Sequence, residues 1–572
     1  MKTIFSILAT IFWVILSFGQ NFSIDQINYT VTSSNTVKIT SNSALVGNAT
    51  LAAFVVYDNV TYTVTAIGDS AFDDSHYLTS VTIPNSVSSI GDNAFSNCDN
   101  LTSVYLPDNL ISIGNNSFQL CGNLTNIIIP NSVTSIGNEA FRNCSSLTSV
   151  TIPNGVTNIG YRTFSLCTSL STVGIPNSIT SIAGEAFYGC STLTSLTIPN
   201  SVTTIGYSAF QHCSNLVTVA ISNSLTSIND YTFAECSSLT SVNIPNSVTS
   251  IGWYAFRSCT SLTSATIPNS VTTIGDGAFQ NCLALTAFSI PNTVTNIGSS
   301  MFENCTNLIS LNIPNTVTMI GSNAFKNCKN LSSLTIPNSV TTIGTSIFFG
   351  CTSLVTITLP NNLTTIPNYT FSGCSSLNFI GNFNKSANDA SATTLNNFLN
   401  SISSIGIEAF FNCTSLQTVS IPSTINNIGS KAFSGCTSLT SVAVNWITPL
   451  LINNNVFIGL NLPSVTLYVP TGTKAAYEAS PVWTDFIIST NLENNDSSAN
   501  NRLKIYPKPT KSILYFSQEL SEIKVVDMLG KQVYSKKEKT QNICVEKIPN
   551  GTYLIIAKNK MGGDFSEKFI KQ

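Results

Sequence analysis

Apolar positions along most of the chain return every 23 residues. One period reads IPNSVTSIGNEAFRNCSSLTSVT (residues 129–151), and the next, IPNGVTNIGYRTFSLCTSLSTVG (152–174), follows without a gap. Phenylalanine marks the beat: Phe72, Phe95, Phe118 and onward to Phe371 are each 23 apart. The step to Phe410 is 39, so extra polar residues near 382–397 (NFNKSANDASATTLNN) read as a loop extruded from one copy; Phe433 resumes the period and Phe457 comes one residue late. A repeat of this length is the signature of a solenoid.

Within a copy the pattern is L-x-x-V-x-I-P-x-x-V-x-x-I-G-x-x-A-F-x-x-C-x-x. Val150 and Ile152 alternate with Ser149 and Thr151, which predicts a short strand with one buried face. Pro153 ends it, having no N–H for a ladder. Gly137 is expected to supply a turn with positive φ. Ala140, Phe141 and Cys144 make an apolar set suited to one helical or 3-10 turn. The expected fold class is a repeat solenoid with a parallel β-sheet on one face and short helical or 3-10 turns on the other. One copy cannot bury its apolar face alone, whereas stacked copies about 4.8 Å apart bury a common core. The segments read as a signal peptide (1–19), an N-terminal β cap (20–65), repeats (66–460, about sixteen or seventeen copies) and a C-terminal cap (461–488) with a helix near Thr473–Glu478; a polar linker (489–501) and a small β-sandwich (502–572) follow.

The repeat resembles the BspA-like leucine-rich repeats of bacterial surface proteins. Pro follows the strand and Asn131 stands one place early, so the asparagine ladder and curvature of the commoner leucine-rich form are not carried over.

Charge sharpens the boundary near residue 500. Residues 501–572 hold 14 Lys/Arg against 7 Asp/Glu, while the first 500 residues hold the other 10 and 20. An acidic body argues against nucleic acid as a partner. At the start, Lys2 and the apolar run Ile4–Ile15, with Ser17 and Gly19 beyond, read as a secretory signal peptide. The tail resembles the C-terminal sorting domain of type IX secretion cargo through Tyr506-Pro507-Lys508-Pro509, Leu529-Gly530-Lys531, Gly551-Thr552-Tyr553 and Lys568-Phe569-Ile570-Lys571, with Lys508 where Asn is commoner. The resemblance implies export, recognition of the tail by the type IX machinery, and a body left on the outer surface or released.

Fifteen of the 16 cysteines stand three residues after a marker Phe, from Cys98 to Cys436, and Cys544 lies in the tail. Their count is odd and their spacing one per copy, and stacked neighbours point the same way, which strains a bridge. Ser75 and Leu460 occupy the same column in the first and last copies. These cysteines read as buried packing thiols.

No catalytic constellation, cofactor motif or metal set emerges; the chain has two histidines, His76 and His212. Two surfaces remain as binding candidates. One is the sheet face, whose outward columns, from Ser80/Thr82 to Thr356/Thr358, are small hydroxyls and amides able to meet a glycan, a peptide or an ice lattice, or simply to stay solvated. The other is the pair of variable positions after the glycine. Tyr161, Tyr207, Trp253, Tyr231 and Tyr254 gather there and are expected to face out, with Arg162, Tyr188, His212 and Arg257 nearby. Exposed aromatics beside arginine suit sugar stacking or a protein hot spot; incidental drift on a ridge is the plainer alternative. The functional expectation is a non-catalytic binding or adhesion module for an extracellular protein or glycan. A structural spacer is the alternative, and an enzyme comes third.

Overall fold

The computed structural model describes residues 19–382, 396–397, 401–490, 505–506, 512–527, 531–558 and 564–571. The expected signal peptide, apart from Gly19, lies outside these residues. The chain divides into two units, residues 1–490 and 491–572.

The first unit is a parallel β-solenoid. Each coil contributes a front strand, such as Ser149–Thr151, paired in parallel register with Thr172–Gly174 of the next coil. Val150 points into the core, and Ser149 and Thr151 face solvent, as the alternation requires. The V-x-x-I half of the motif forms a second, two-residue strand that the pattern did not announce. Asn158–Ile159 pairs with Ser181–Ile182, and that with Thr204–Ile205, so a second parallel sheet runs alongside the first. Two apolar side chains in so short a span, Val156 and Ile159, are enough to anchor it in the core.

The back of each coil has the i to i+3 bonds of a 3-10 turn: the Arg142 N–H donates to Glu139 and that of Cys144 to Phe141. It is not a continuous helix, because two residues per coil, such as Glu139 and Asn143, have left-handed backbones. That reversal turns alternate N–H groups toward the next coil, and Glu139, Phe141 and Asn143 donate to the carbonyls of Tyr161, Thr163 and Ser165 at 2.7–2.9 Å. The back therefore hydrogen-bonds between coils much as a sheet does. The expectation for Gly137 is corrected as well. Positive φ falls two residues later, and Gly137 serves close approach: a methyl group built on it would sit 2.5 Å from the Asn115 nitrogen. Ala183, Asn229 and Pro367 occupy this column in three coils, so the spacing gives locally.

Two columns dominate the interior. The marker phenylalanines stack ring on ring from Phe72 to Phe457, with centroids 5.0–6.1 Å apart. The cysteines from Cys98 to Cys436 are all free and buried. Each thiol donates to the carbonyl of the marker Phe in the preceding coil, at 3.1–3.3 Å, as Cys167 does to Phe141. Ser75 in the first coil keeps the pattern, its hydroxyl donating to Asn42 O. Between the first and last coils the column suits a small side chain with one donor, which cysteine supplies while remaining apolar enough for the core; Leu460 closes it without one. Burial pushes the Cys167 thiol up to about 12, so it stays protonated and unreactive.

The stack runs straight past the long step: the Phe371 and Phe410 rings lie 5.3 Å apart, and the Cys413 thiol reaches Phe371 O at 3.1 Å. The inserted residues 383–395 lie outside the described ones. At the front end, Thr36–Thr40 and Gly47–Thr50 pair in parallel with the two strands of the first coil, imitating a preceding coil. At the other end, Trp483 and Phe486 pack on Phe457 beside the short helix Lys474–Glu478. Their polar atoms are satisfied, with Trp483 Nε1 donating to Leu450 O and Tyr477 Oη to Trp446 O.

The second unit is an antiparallel half-barrel. Its long strand Ile513–Asp527 pairs with Ile505–Tyr506 and Thr540–Cys544 along one half and with Gln532–Lys536 and Gly551–Lys558 along the other. Leu514, Phe516, Ile523, Val525, Ile555 and Phe569 are among its core residues.

Candidate functional site

The residue after the glycine column builds a ladder. Asp69, Asp92, Asn115 and Asn138 each accept, through Oδ1, the backbone N–H of the equivalent residue one coil on, at 2.6–3.0 Å. Asp230, Asp276 and Asn368 do the same for Trp253, Ser299 and Ile407. The asparagine ladder of the repeat thus exists, but seven places after Asn131. Tyr161, Gly184, Tyr207, Trp253 and Ile407 replace the acceptor in five coils and carry no oxygen within that reach, three of the five being aromatic. Each such replacement forgoes a hydrogen bond of about 1 kcal/mol.

The nine candidate residues separate into two sets. Tyr207 and Trp253 stand exposed, at 51% and 59%. Tyr207 lies over Gly184, where an added methyl would meet its ring at 2.9 Å, and the Tyr161 hydroxyl donates to Glu185 Oε1 at 3.1 Å. Burial, with its hydrogen bond to the Glu185 carboxylate and the nearby Tyr207 hydroxyl, pushes the Tyr161 hydroxyl up to about 12. Trp253 borders a groove of about 480 Å³ whose lining includes Asp230, Gly275, Asp276, Asn296 and Met319.

The second set is not a row of free outward side chains. Arg162, Tyr231 and Tyr254 occupy the left-handed position, which draws them half into the back ridge. Arg162 bonds Glu185 at 2.8 Å and lies 4.8 Å over the Tyr161 ring. Tyr231 stacks on Tyr254 at 5.1 Å, with Arg257 at 5.6 Å from the latter's ring. Tyr188 meets His212 edge-on, and His212 pairs with Glu235 at 2.9 Å. These contacts consume most of the donors and ring faces that a ligand would use. A second recess, of about 270 Å³, lies among Arg142, Arg162, Glu185 and Tyr188.

On the front sheet the small hydroxyls are exposed as expected, but Tyr105 and Ile128 stand out from adjacent coils at 64% and 77%. Other Ser/Thr columns face the neighbouring coil: Thr102 donates to Thr79 O and Thr263 to Thr240 O, both at 3.0 Å. Much of the hydroxyl content therefore ties coils together. The sequence reading missed Asp230, Asp276 and Met319 beside Trp253. Their signal was spacing alone, since they follow the glycine column or lie in the second strand.

In the tail, Tyr506 lies in a strand paired with Tyr515–Phe516, while Pro507, Pro509 and Gly530 fall outside the described residues. Gly551 opens a strand, and Tyr553 is buried with its hydroxyl donating to Pro549 O. Lys568 is exposed; Lys571 is buried, and its Nζ lies 3.4 Å from Asn550 Oδ1.

The sequence profile of the BspA type leucine rich repeat region (6 copies) matches residues 65–194, 159–286, 272–394 and 381–499, and the chain belongs to this family. Residues 504–572 match the secretion system C-terminal sorting domain, which implies handling by the type IX secretion machinery. Among solved structures, the chain is similar to a leucine-rich repeat protein from Bacteroides ovatus, with 27% identity over 82% of this chain and 98% of that one and a TM-score of 0.43. It is also similar to a leucine rich cell surface protein from Faecalibacterium prausnitzii, with 29% identity over 74% and 94% and a TM-score of 0.35. No curated protein matches the chain. Repeat family and sorting tail together mark a secreted or cell-surface leucine-rich repeat protein. No helix among the described residues is long and apolar enough to cross a membrane.

Proposed function

We propose that the solenoid is a non-catalytic binding module displayed outside the cell, and that its ligand, a protein or glycan, docks on the edge carrying Tyr207 and Trp253. One observation carries this reading: three of the five coils that give up the ladder acceptor put an aromatic there, and two of these, Tyr207 and Trp253, are more than half exposed. Packing gains little from a tryptophan more than half exposed, so its presence fits contact with something else. Tyr161 supports Tyr207 from below, and the Arg162, Tyr188, His212, Tyr231, Tyr254 and Arg257 ridge holds the backbone that presents them. Glycan and extracellular-protein arrays probed with the full chain test it. Binding that Trp253→Ala and Tyr207→Ala each weaken about tenfold is expected; a wild-type chain that binds nothing above background favours the spacer.

Export follows the same reading. The leader (1–19) is removed on crossing the inner membrane. The sorting residues Tyr506, Pro507, Pro509, Gly530, Gly551, Tyr553, Lys568 and Lys571 lie in the tail that the outer-membrane machinery reads. Intact mass of surface or medium material checks this: a chain still carrying residues 502–572 in the periplasm would contradict it.

A further inference from the structure

We infer that the groove beside Trp253 takes a cationic side chain of a basic peptide segment. This rests on the binding reading above and names its ligand class. The groove floor is the glycine column, with Gly252, Gly275 and Gly298 leaving backbone uncovered, and Trp253 is the wall. Asp230 and Asp276 stand one coil before and one coil after Trp253, about 10 Å apart at ~4.8 Å per coil. Each spends Oδ1 on the ladder, at 2.7 and 2.8 Å, and the second oxygen of each takes no protein donor among the described residues.

No lysine, arginine or histidine lines the groove, so two carboxylates flank an exposed indole without a compensating cation. The ladder does not require this charge, since Asn115, Asn138 and Asn368 do the same work uncharged. An indole face attracts cations through its quadrupole, and the flanking carboxylates add to that attraction. An arginine or lysine head over Trp253 sits one coil spacing, ~4.8 Å, from each carboxylate and is attracted by all three groups without bonding both carboxylates directly. An anionic ligand meets two like charges, and a neutral sugar, whose hydroxyls can donate to the free oxygens, would be served as well by an uncharged amide.

The test uses the full chain and tryptophan emission. Trp253 is exposed and Trp446 and Trp483 are buried, and with the leader that carries Trp13 removed an emission change reports on the groove. An amidated arginine–glycine oligopeptide and a neutral chito-oligosaccharide are titrated in parallel. Asp230→Asn/Asp276→Asn is the informative variant, because asparagine keeps the ladder acceptor and removes only charge; an unchanged melting curve verifies this. The inference expects peptide binding that this double variant weakens about tenfold at low salt, with the difference fading near 1 M salt. Peptide binding indifferent to the double variant, or absent from the wild type, overturns it. Oligosaccharide binding lost in Trp253→Ala but kept in the Asn variant overturns it while leaving the binding reading intact. Neither probe binding, together with arrays unmoved by Trp253→Ala, removes the binding reading itself.

Discussion

Two ladders run the length of the solenoid, one inside and one at its edge. The thiol ladder is unbroken from Cys98 to Cys436, and each sulfur bonds the preceding marker carbonyl. The carboxylate and amide ladder after the glycine column is broken at Tyr161, Gly184, Tyr207, Trp253 and Ile407. In the core every coil meets the same neighbours, so one residue type solves the problem each time. At the edge, solvent tolerates substitution, and the ladder gives way to three aromatics, a glycine and an isoleucine, the aromatics falling between Tyr161 and Trp253. Uniformity in the first column reflects packing, and departure from it in the second is the observation on which the proposed binding role rests.

The largest expected effect lies inside. Phe233→Ala removes a fully buried ring stacked on both sides, and should cost about 3–5 kcal/mol, read as a lowered urea midpoint. A value near zero would mean the coils do not share a continuous core.

The thiol ladder has a pH signature. Burial raises thiols such as Cys167 and Cys305 from 9.0 to about 12, so the folded state favours the protonated form. That stability is fully present below pH ~9 and is lost as pH rises toward 12, at up to about 1.4 kcal/mol per pH unit for each thiol. Thiol labelling gives the companion result. The repeat cysteines should be silent in the native protein and reactive after denaturation; a native count that includes them, or blocked thiols in the denatured chain, would break the inner half of the comparison.

The smaller effects lie at the edge. Asp230→Ala should lower stability by about 1 kcal/mol, because the Trp253 N–H loses its acceptor, while Asp230→Asn should be close to neutral. Equal losses in the two variants would mean that charge, and not the hydrogen bond, holds this position.

The 23-residue period, the alternation at Val150 and Ile152, and the recurrent Phe and Cys made the solenoid and its core columns legible in the sequence. The left-handed turns were only half legible. Asn and Gly recur before the cysteine, as at Asn143 and Gly189, and these are the residues that tolerate positive φ. The second such position was hidden, because Glu139, Arg162, Tyr231 and Tyr254 are not turn formers and there the stack overrides local preference. That is why Tyr231 and Tyr254 were expected outside and lie half-buried. The second sheet was missed because a two-residue strand has no room to show a period. The groove at Trp253 was legible as a tryptophan but not as a charged site, since Asp230 and Asp276 approach it only through the coil stacking.

Trp253→Asn tests the comparison most directly. It restores an acceptor for the Asp276 N–H and removes the exposed ring, so the account predicts a gain of about 0.5–1 kcal/mol in stability together with loss of ligand binding. A loss of stability would show that Trp253 is a packing residue, and the broken ladder would then carry no functional meaning.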